Sequence, residues 1–209
     1  MHIPDGFLDV KTWAGSWVAG AGLVGVAATR ARAELGSGRA PVVGAMAAFV
    51  FAAQMVNFPV GVGTSGHLVG AALLAVTLGP WTASLVMTTV LVLQALLFAD
   101  GGLTALGANV LNMAFVGVFV AWGLYRLLVR VRVPRVWAIA AGAWLSVVAA
   151  SVACALELAL SGTAPLGPVL VAMAGWHTLI GVGEAAITAG VVAYLGRVRP
   201  QLVEGWCDR

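Results

Sequence analysis

Seven apolar stretches separated by short polar breaks restrict this chain more than any other feature. They run over roughly Thr12 to Ala28, Pro41 to Pro59, Leu68 to Gly79, Trp81 to Phe98, Ala108 to Leu128, Val136 to Leu160 and Val169 to Leu195. Of the 209 residues 61% are apolar and 9% charged, a balance that belongs to lipid rather than to water. The third run is short and is cut by Gly79-Pro80, while Trp13 and Trp17 near the start of the first suit a membrane interface. The reading is an all-α polytopic membrane protein of about seven transmembrane helices in one domain. Residues 1–10 form an N-terminal segment, 12–195 the helical bundle and 196–209 a cytoplasmic tail. There is no tandem repeat, low-complexity tract or linker.

The charges set an orientation. With the N-terminus outside and the C-terminus inside, Arg30, Arg32, Arg39, Arg126, Arg130, Arg132, Arg135, Arg197, Arg199 and Arg209 fall on the inner side, and Lys11 alone falls outside. This accounts for the net charge of +3 without a nucleic-acid partner. The expected location is the cell (inner) membrane. Asp5, Asp9 and Asp100 lie on the outer side, where they favour the approach of cations. Cys154 sits in an apolar run and Cys207 in the tail, so they are not expected to pair, and Cys207 makes no prenylation box.

Met1-His2-Ile3-Pro4-Asp5-Gly6-Phe7-Leu8 has neither the basic nor the apolar region of a signal peptide. The large His2 is expected to keep Met1 in place. An amine, a peptide nitrogen and an imidazole then follow in a row. A metal on the amine and the His2 amide nitrogen closes a five-membered ring, and the same amide with His2 Nδ1 closes a six-membered one. Three nitrogens fall in one plane and leave one corner of a square, a geometry suited to Ni(II) or Cu(II). Pro4-Asp5-Gly6 is turn chemistry that can fold the end inward. The blander reading is a frayed terminus.

His67 follows a glycine-rich stretch (Gly61, Gly63, Gly66) that would let the terminus approach, and it stands where the third helix is expected to begin; its Nε2 can supply the fourth corner. Ser65 and Asp100 lie alongside as loop support. Asn109 and Asn112 either hydrogen-bond the folded-in terminus or join helices. His177 and Glu184, seven apart on one helical face, read as a structural polar pair rather than a second metal site, and Gln54 and Glu157 read likewise. The methionines are scattered, which argues against a Cu(I) path. Two rivals remain open: an intramembrane serine protease using Ser65 in Gly63-Thr64-Ser65-Gly66 with His177 as base, and a diheme protein with His67 and His177 as axial ligands.

MHIPDGFLD, GTSGHLVGAALLAVTLGPW, FADGGLTALGANVLNMAF and HTLIGVGEAAIT together resemble the CbiM/NikM family, substrate-capture subunits of cobalt and nickel energy-coupling-factor transporters. The resemblance spans roughly Met1 to Val192. It implies a metal held by the Met1 amine, the amide and imidazole of His2, and the His67 imidazole, with Ni(II) or Co(II) as transported substrate and no organic cofactor. Cobalt-type members tend to begin MHIMEG, and MHIPDG here leans toward the nickel type. No G-x-x-x-x-G-K-[ST] occurs, so the chain is expected to be no enzyme of its own. The family implies ATP-binding cassette ATPases, a coupling transmembrane subunit and a small accessory membrane subunit, expected here as a separate chain. Ala45, Ala48, Ala52 and Ala53 offer a small-residue docking face, with internal packing as the alternative.

Overall fold

The computed structural model describes residues 1–34, 38–61 and 64–203, without the side chains of 58–61 and 64. Expectations for Gly63, Cys207 and Arg209 therefore lie outside the described residues. Seven helices appear: α1 (Val10–Glu34), α2 (Ala40–Gln54), α3 (Ala71–Leu78), α4 (Pro80–Phe98), α5 (Leu106–Arg130), α6 (Arg135–Leu160) and α7 (Leu166–Val198). A 3₁₀ turn, Pro200–Leu202, follows them. The last four helices are long and apolar enough to cross a membrane. Their outward faces present Leu96, Leu97, Leu160, Val171 and Leu179, all exposed, as lipid contact requires. The protein is a multi-pass, all-α membrane protein.

Helix starts follow local chemistry. Prolines stand in the first turns of α2 and α4, where a missing N–H costs nothing. Between α3 and α4 only Gly79 intervenes, at φ 86°, with Pro80 opening α4. The third apolar run differs most from expectation. Its helix has 8 residues, all buried, and at 1.5 Å per residue covers only about 12 Å of depth. Residues 68–70 of that run have no regular secondary structure, and Gly70 is left-handed at φ 76°. Before it, Phe58–Gly61 (β1) and Thr64–Gly66 (β2) pair antiparallel, with Phe58 opposite Gly66 and Pro59 opposite Ser65. His67 thus lies in the segment between β2 and α3, not at a helix start, and is 1% exposed.

The bundle has two distinct ends. At one, the Trp17 indole donates to the carbonyls of Leu103 and Thr104, Asn57 meets Asp100, and the Thr163 hydroxyl donates to Phe7 O. At the other, the Glu34 carboxylate accepts from Trp81 N and Thr82 N at 3.2 and 2.7 Å. There Arg39 donates to Thr77 O at 2.6 Å. Close approach of α1 to α5 depends on Gly107, where a Cβ would stand 2.5 Å from Trp17 N. Within α5, Val110–Gly117 is π-helical, and the Ser84 hydroxyl lies 2.6 Å from Ala114 O in that stretch. The π turns begin directly after Asn109, the residue that receives the N-terminal segment.

Candidate metal centre at the N-terminal segment

Residues ahead of α1 run into the bundle instead of fraying. Met1 and Ile3 are 0% exposed and His2 is 4% exposed. Main-chain pairing holds them there. Ile3 N donates to Asn109 Oδ1 at 2.8 Å, while Asn109 Nδ2 and Gly102 N donate to Ile3 O at 3.1 and 2.8 Å. Gly102 is required for this approach, since a Cβ would fall 2.6 Å from both Pro4 C and Asp5 Oδ1. The Asp5 carboxylate then closes the turn by accepting from Leu103 N, Thr104 N and the Thr104 hydroxyl at 3.2, 2.7 and 2.5 Å. Asp5 thus fixes the segment and does not face the site.

Inside, the Met1 amine donates to Ser65 O and lies 3.4 Å from Ser65 Oγ, and Met1 O is 3.9 Å from Cys154 Sγ. The His2 ring stacks on His67, with centroids 4.6 Å apart and planes at 22°. His2 Nε2 lies 3.2 Å from Gln94 Oε1 and Nδ1 lies 3.2 Å from Asp100 Oδ1; the Nε2–H tautomer serves Gln94 and leaves a lone pair on Nδ1 for a metal. His67 Nδ1 donates to Leu68 O at 2.8 Å, so its lone pair is on Nε2. That Nε2 is buried and has no hydrogen-bond partner among the described residues. Burial pushes the Met1 amine down to about 5. His2 is lowered by burial against the pull of Asp100, and His67 falls well below its ordinary value through burial and the neighbouring amine and His2 charges. All three groups are neutral at pH 7, the form in which nitrogen binds a metal.

The segment after His67 is fixed from two helices. Glu184 on α7 accepts from Val69 N and Gly70 N at 2.7 and 2.6 Å. Gln54 on α2 donates to Val69 O at 2.7 Å. Glu184 therefore makes an interhelical contact with backbone, not a bond to His177, and the expected pair separates. His177 Nδ1 donates to Met173 O at 2.7 Å within α7, and its Nε2 is without a partner among the described residues. It stands close enough for its charge to act on His67. Of the two asparagines, only Asn109 meets the terminus. Asn112 donates to Glu157 Oε2 at 2.6 Å, joining α5 to α6, because the π turns carry it away from the segment. Gln94, absent from the sequence reading, and Cys154, read there only as an unpaired thiol in an apolar run, belong to the surroundings of Met1 and His2. A glutamine in an otherwise apolar run was the available signal for Gln94.

The rivals lose their geometry. The Ser65 hydroxyl neighbours the Met1 amine, and His177 bonds within its own helix, so no nucleophile–base pair forms. One face of the His67 ring is covered by His2. Among the described residues no group of three His, Cys, Asp or Glu side chains is arranged to hold a metal.

Comparison with known proteins agrees with this architecture. A family model described as the cobalt uptake substrate-specific transmembrane region, CbiM, matches residues 2–202. A Haloquadratum walsbyi protein whose name assigns it to metal transport is 41% identical, over 97% of this chain and 93% of that one. The fused nickel transport protein NikMN of Rhodobacter capsulatus is 36% identical over 97% of this chain and 64% of its own length. A crystal structure of a truncated transition metal transporter, 40% identical, superposes with a TM-score of 0.88 over 93% of this chain and 98% of that one. A family match over nearly the whole chain, joined to a shared fold at that identity, places this protein in the CbiM family.

Proposed function

We propose that the chain is the capture subunit of a nickel or cobalt uptake system, taking the divalent ion at the outer face and delivering it to ATP-driven partners. The observation that carries this is the convergence of a fully buried, neutral amine, the His2 imidazole and an unpartnered His67 Nε2 in one place. In this reading the Met1 amine, the His2 amide nitrogen, His2 Nδ1 and His67 Nε2 form the square, which suits Ni(II). The His2 amide loses its proton on loading, and the stacked rings turn toward one plane. Asn109 and Asp5 hold the segment in register. Relatives named for nickel and for cobalt transport support both ions as substrate. The partners are ATP-binding cassette ATPases, a coupling transmembrane subunit and a small accessory subunit. On α2, Ala45, Ala48 and Ala52 are exposed and available to such a helix partner.

The test is Ni(II) stoichiometry on purified full-length chain. One glycine added before Met1 converts the amine to an amide and displaces the chain end, so loading is expected to be lost while the apo protein inserts and melts normally. His67→Ala is expected to lose loading as well, and His177→Ala to keep it. Full stoichiometry with the extended chain would remove Met1 from the site, and equal loss in His67→Ala and His177→Ala would move the site deeper into the bundle.

A further inference from the structure

Every nitrogen in the proposed square is enclosed, yet the ion comes from water. Met1, His2 and His67 are 0%, 4% and 1% exposed. Among the described residues, one charged group both touches a ligand residue and reaches solvent, and it is Asp100, whose side chain is 14% exposed. Asp100 follows the last turn of α4, where its N–H donates to Gln94 O at 3.1 Å. Its carboxylate spans the boundary. Oδ2 accepts from Nδ2 of the exposed Asn57 at 3.1 Å, and Oδ1 lies 3.2 Å from His2 Nδ1.

That inner contact is unusual. In the Nε2–H tautomer, the one that a metal on Nδ1 requires, Nδ1 carries a lone pair and faces a second acceptor, Asp100 Oδ1. Nδ1 is buried and has no aligned hydrogen-bond partner among the described residues. Two acceptors held together repel unless a cation serves both. The spacing also fits an ion: with bonds of about 2.1 Å, two donors at right angles on one metal lie about 3 Å apart. A carboxylate in this place is a cis neighbour of the imidazole, above the plane of nitrogens rather than within it.

We propose that Asp100 is the receiving ligand of the site: its carboxylate takes the divalent cation from the outer solution, releasing Asn57, and passes it to His2 Nδ1 while staying in contact from above. This rests on the ligand set proposed for Met1, His2 and His67. No proton moves at Asp100, and its carboxylate keeps its charge throughout. The carboxylate exchanges an amide donor for a cation, and the cation exchanges waters for nitrogens. A hard oxygen ligand suits the first contact because a hydrated divalent ion gives up water to it readily, whereas nitrogen ligands hold the ion afterwards.

The experiment follows the association of Ni(II) alone with the full chain in detergent micelles by stopped flow. For Asp100→Asn the association rate is expected to fall about tenfold or more, the scale on which one well-placed charge accelerates capture. Final stoichiometry and the absorption spectrum of the nitrogen-bound ion should be kept, and Asp100→Glu should recover most of the rate. Association of Asp100→Asn at the wild-type rate would overturn the proposal. So would a defect confined to faster release, which would assign Asp100 only to holding His2. Should Asp100→Asn fail to fold, Asn57→Ala carries the test: it frees Oδ2 and has to raise the association rate, and no rise overturns the proposal. The ligand set is tested apart from this. If His67→Ala and the N-terminally extended chain lose nickel while Asp100→Asn associates normally, the part assigned to Asp100 alone is wrong; if those two load fully, the ligand set is.

Discussion

A buried ring nitrogen with nothing to bond costs about 1–3 kcal/mol, and His67 Nε2 carries that cost among neighbours that are themselves dehydrated. The same burial that leaves it unpaired prepares it for metal. A free amine of ordinary value 8.0 would have to shed a proton before binding at pH 7, but here burial brings it to about 5. His2 and His67 are lowered from 6.5 in the same direction. A basic group with a depressed value is deprotonated above that value, so at pH 7 and above these nitrogens give up little on loading. The proton of the His2 amide is then the main one released. Calorimetry at pH 7 in buffers of different ionisation enthalpy is expected to return about one proton per Ni(II), and more than one only near and below pH 5. A value near three at pH 7 would mean that the amine and imidazoles are protonated in the apo protein and that the terminus is not buried as described.

At the scale of elements, α7 and α2 grip the segment 67–70 and α5 grips the N-terminal one, so the two halves of the site arrive on different supports. Glu184→Gln tests the first grip. Each carboxylate oxygen serves one backbone N–H, and an amide keeps one of these oxygens and turns an NH2 donor toward the other N–H. A buried N–H without a partner costs about 1–3 kcal/mol, so lower thermal stability of the apo protein is expected together with weaker Ni(II) binding through a displaced His67. Unchanged melting and affinity would show that α3 and Gln54 suffice to place His67. The helices behind these grips were legible, because seven apolar runs and the prolines at 41 and 80 carry their own local physics. The depth of His67 was not. Hydropathy treats Leu68 to Gly79 as one run whether it is helical throughout or only from Ala71, and the hairpin ahead of it reads as a glycine-rich loop. Nor does local pattern reveal partners such as His2 and Gln94, which meet across 92 residues. The same limit divided the asparagines, for which both roles were open: Asn109 meets Ile3, and Asn112 joins Glu157 instead.

For the whole molecule, the remaining question is which end of the bundle faces which side, and the charges bear on it directly. The end that holds Met1, Asp5, Asp9 and Asp100 has Lys11 nearby, whereas Arg39, Arg130 and Arg135 sit at the ends of helices that point the other way. Arginines in short connections are retained on the cytoplasmic side during insertion, and an excess on one end sets the orientation of the whole chain. The metal end is accordingly expected outside. Two exposed positions report it: Leu103, between α4 and α5 at the metal end, and Val131, between α5 and α6 at the other, 46% and 62% exposed. With Cys207 replaced by serine and Cys154 buried, Leu103→Cys in intact cells should react with a membrane-impermeant maleimide, while Val131→Cys should react only after the membrane is opened. The reverse pattern would turn the capture site toward the cytoplasm. Uptake through this end, and the part given to Asp100 in receiving the ion from outside, would both fall with it, because a carboxylate facing the wrong compartment can only receive what is already in the cell.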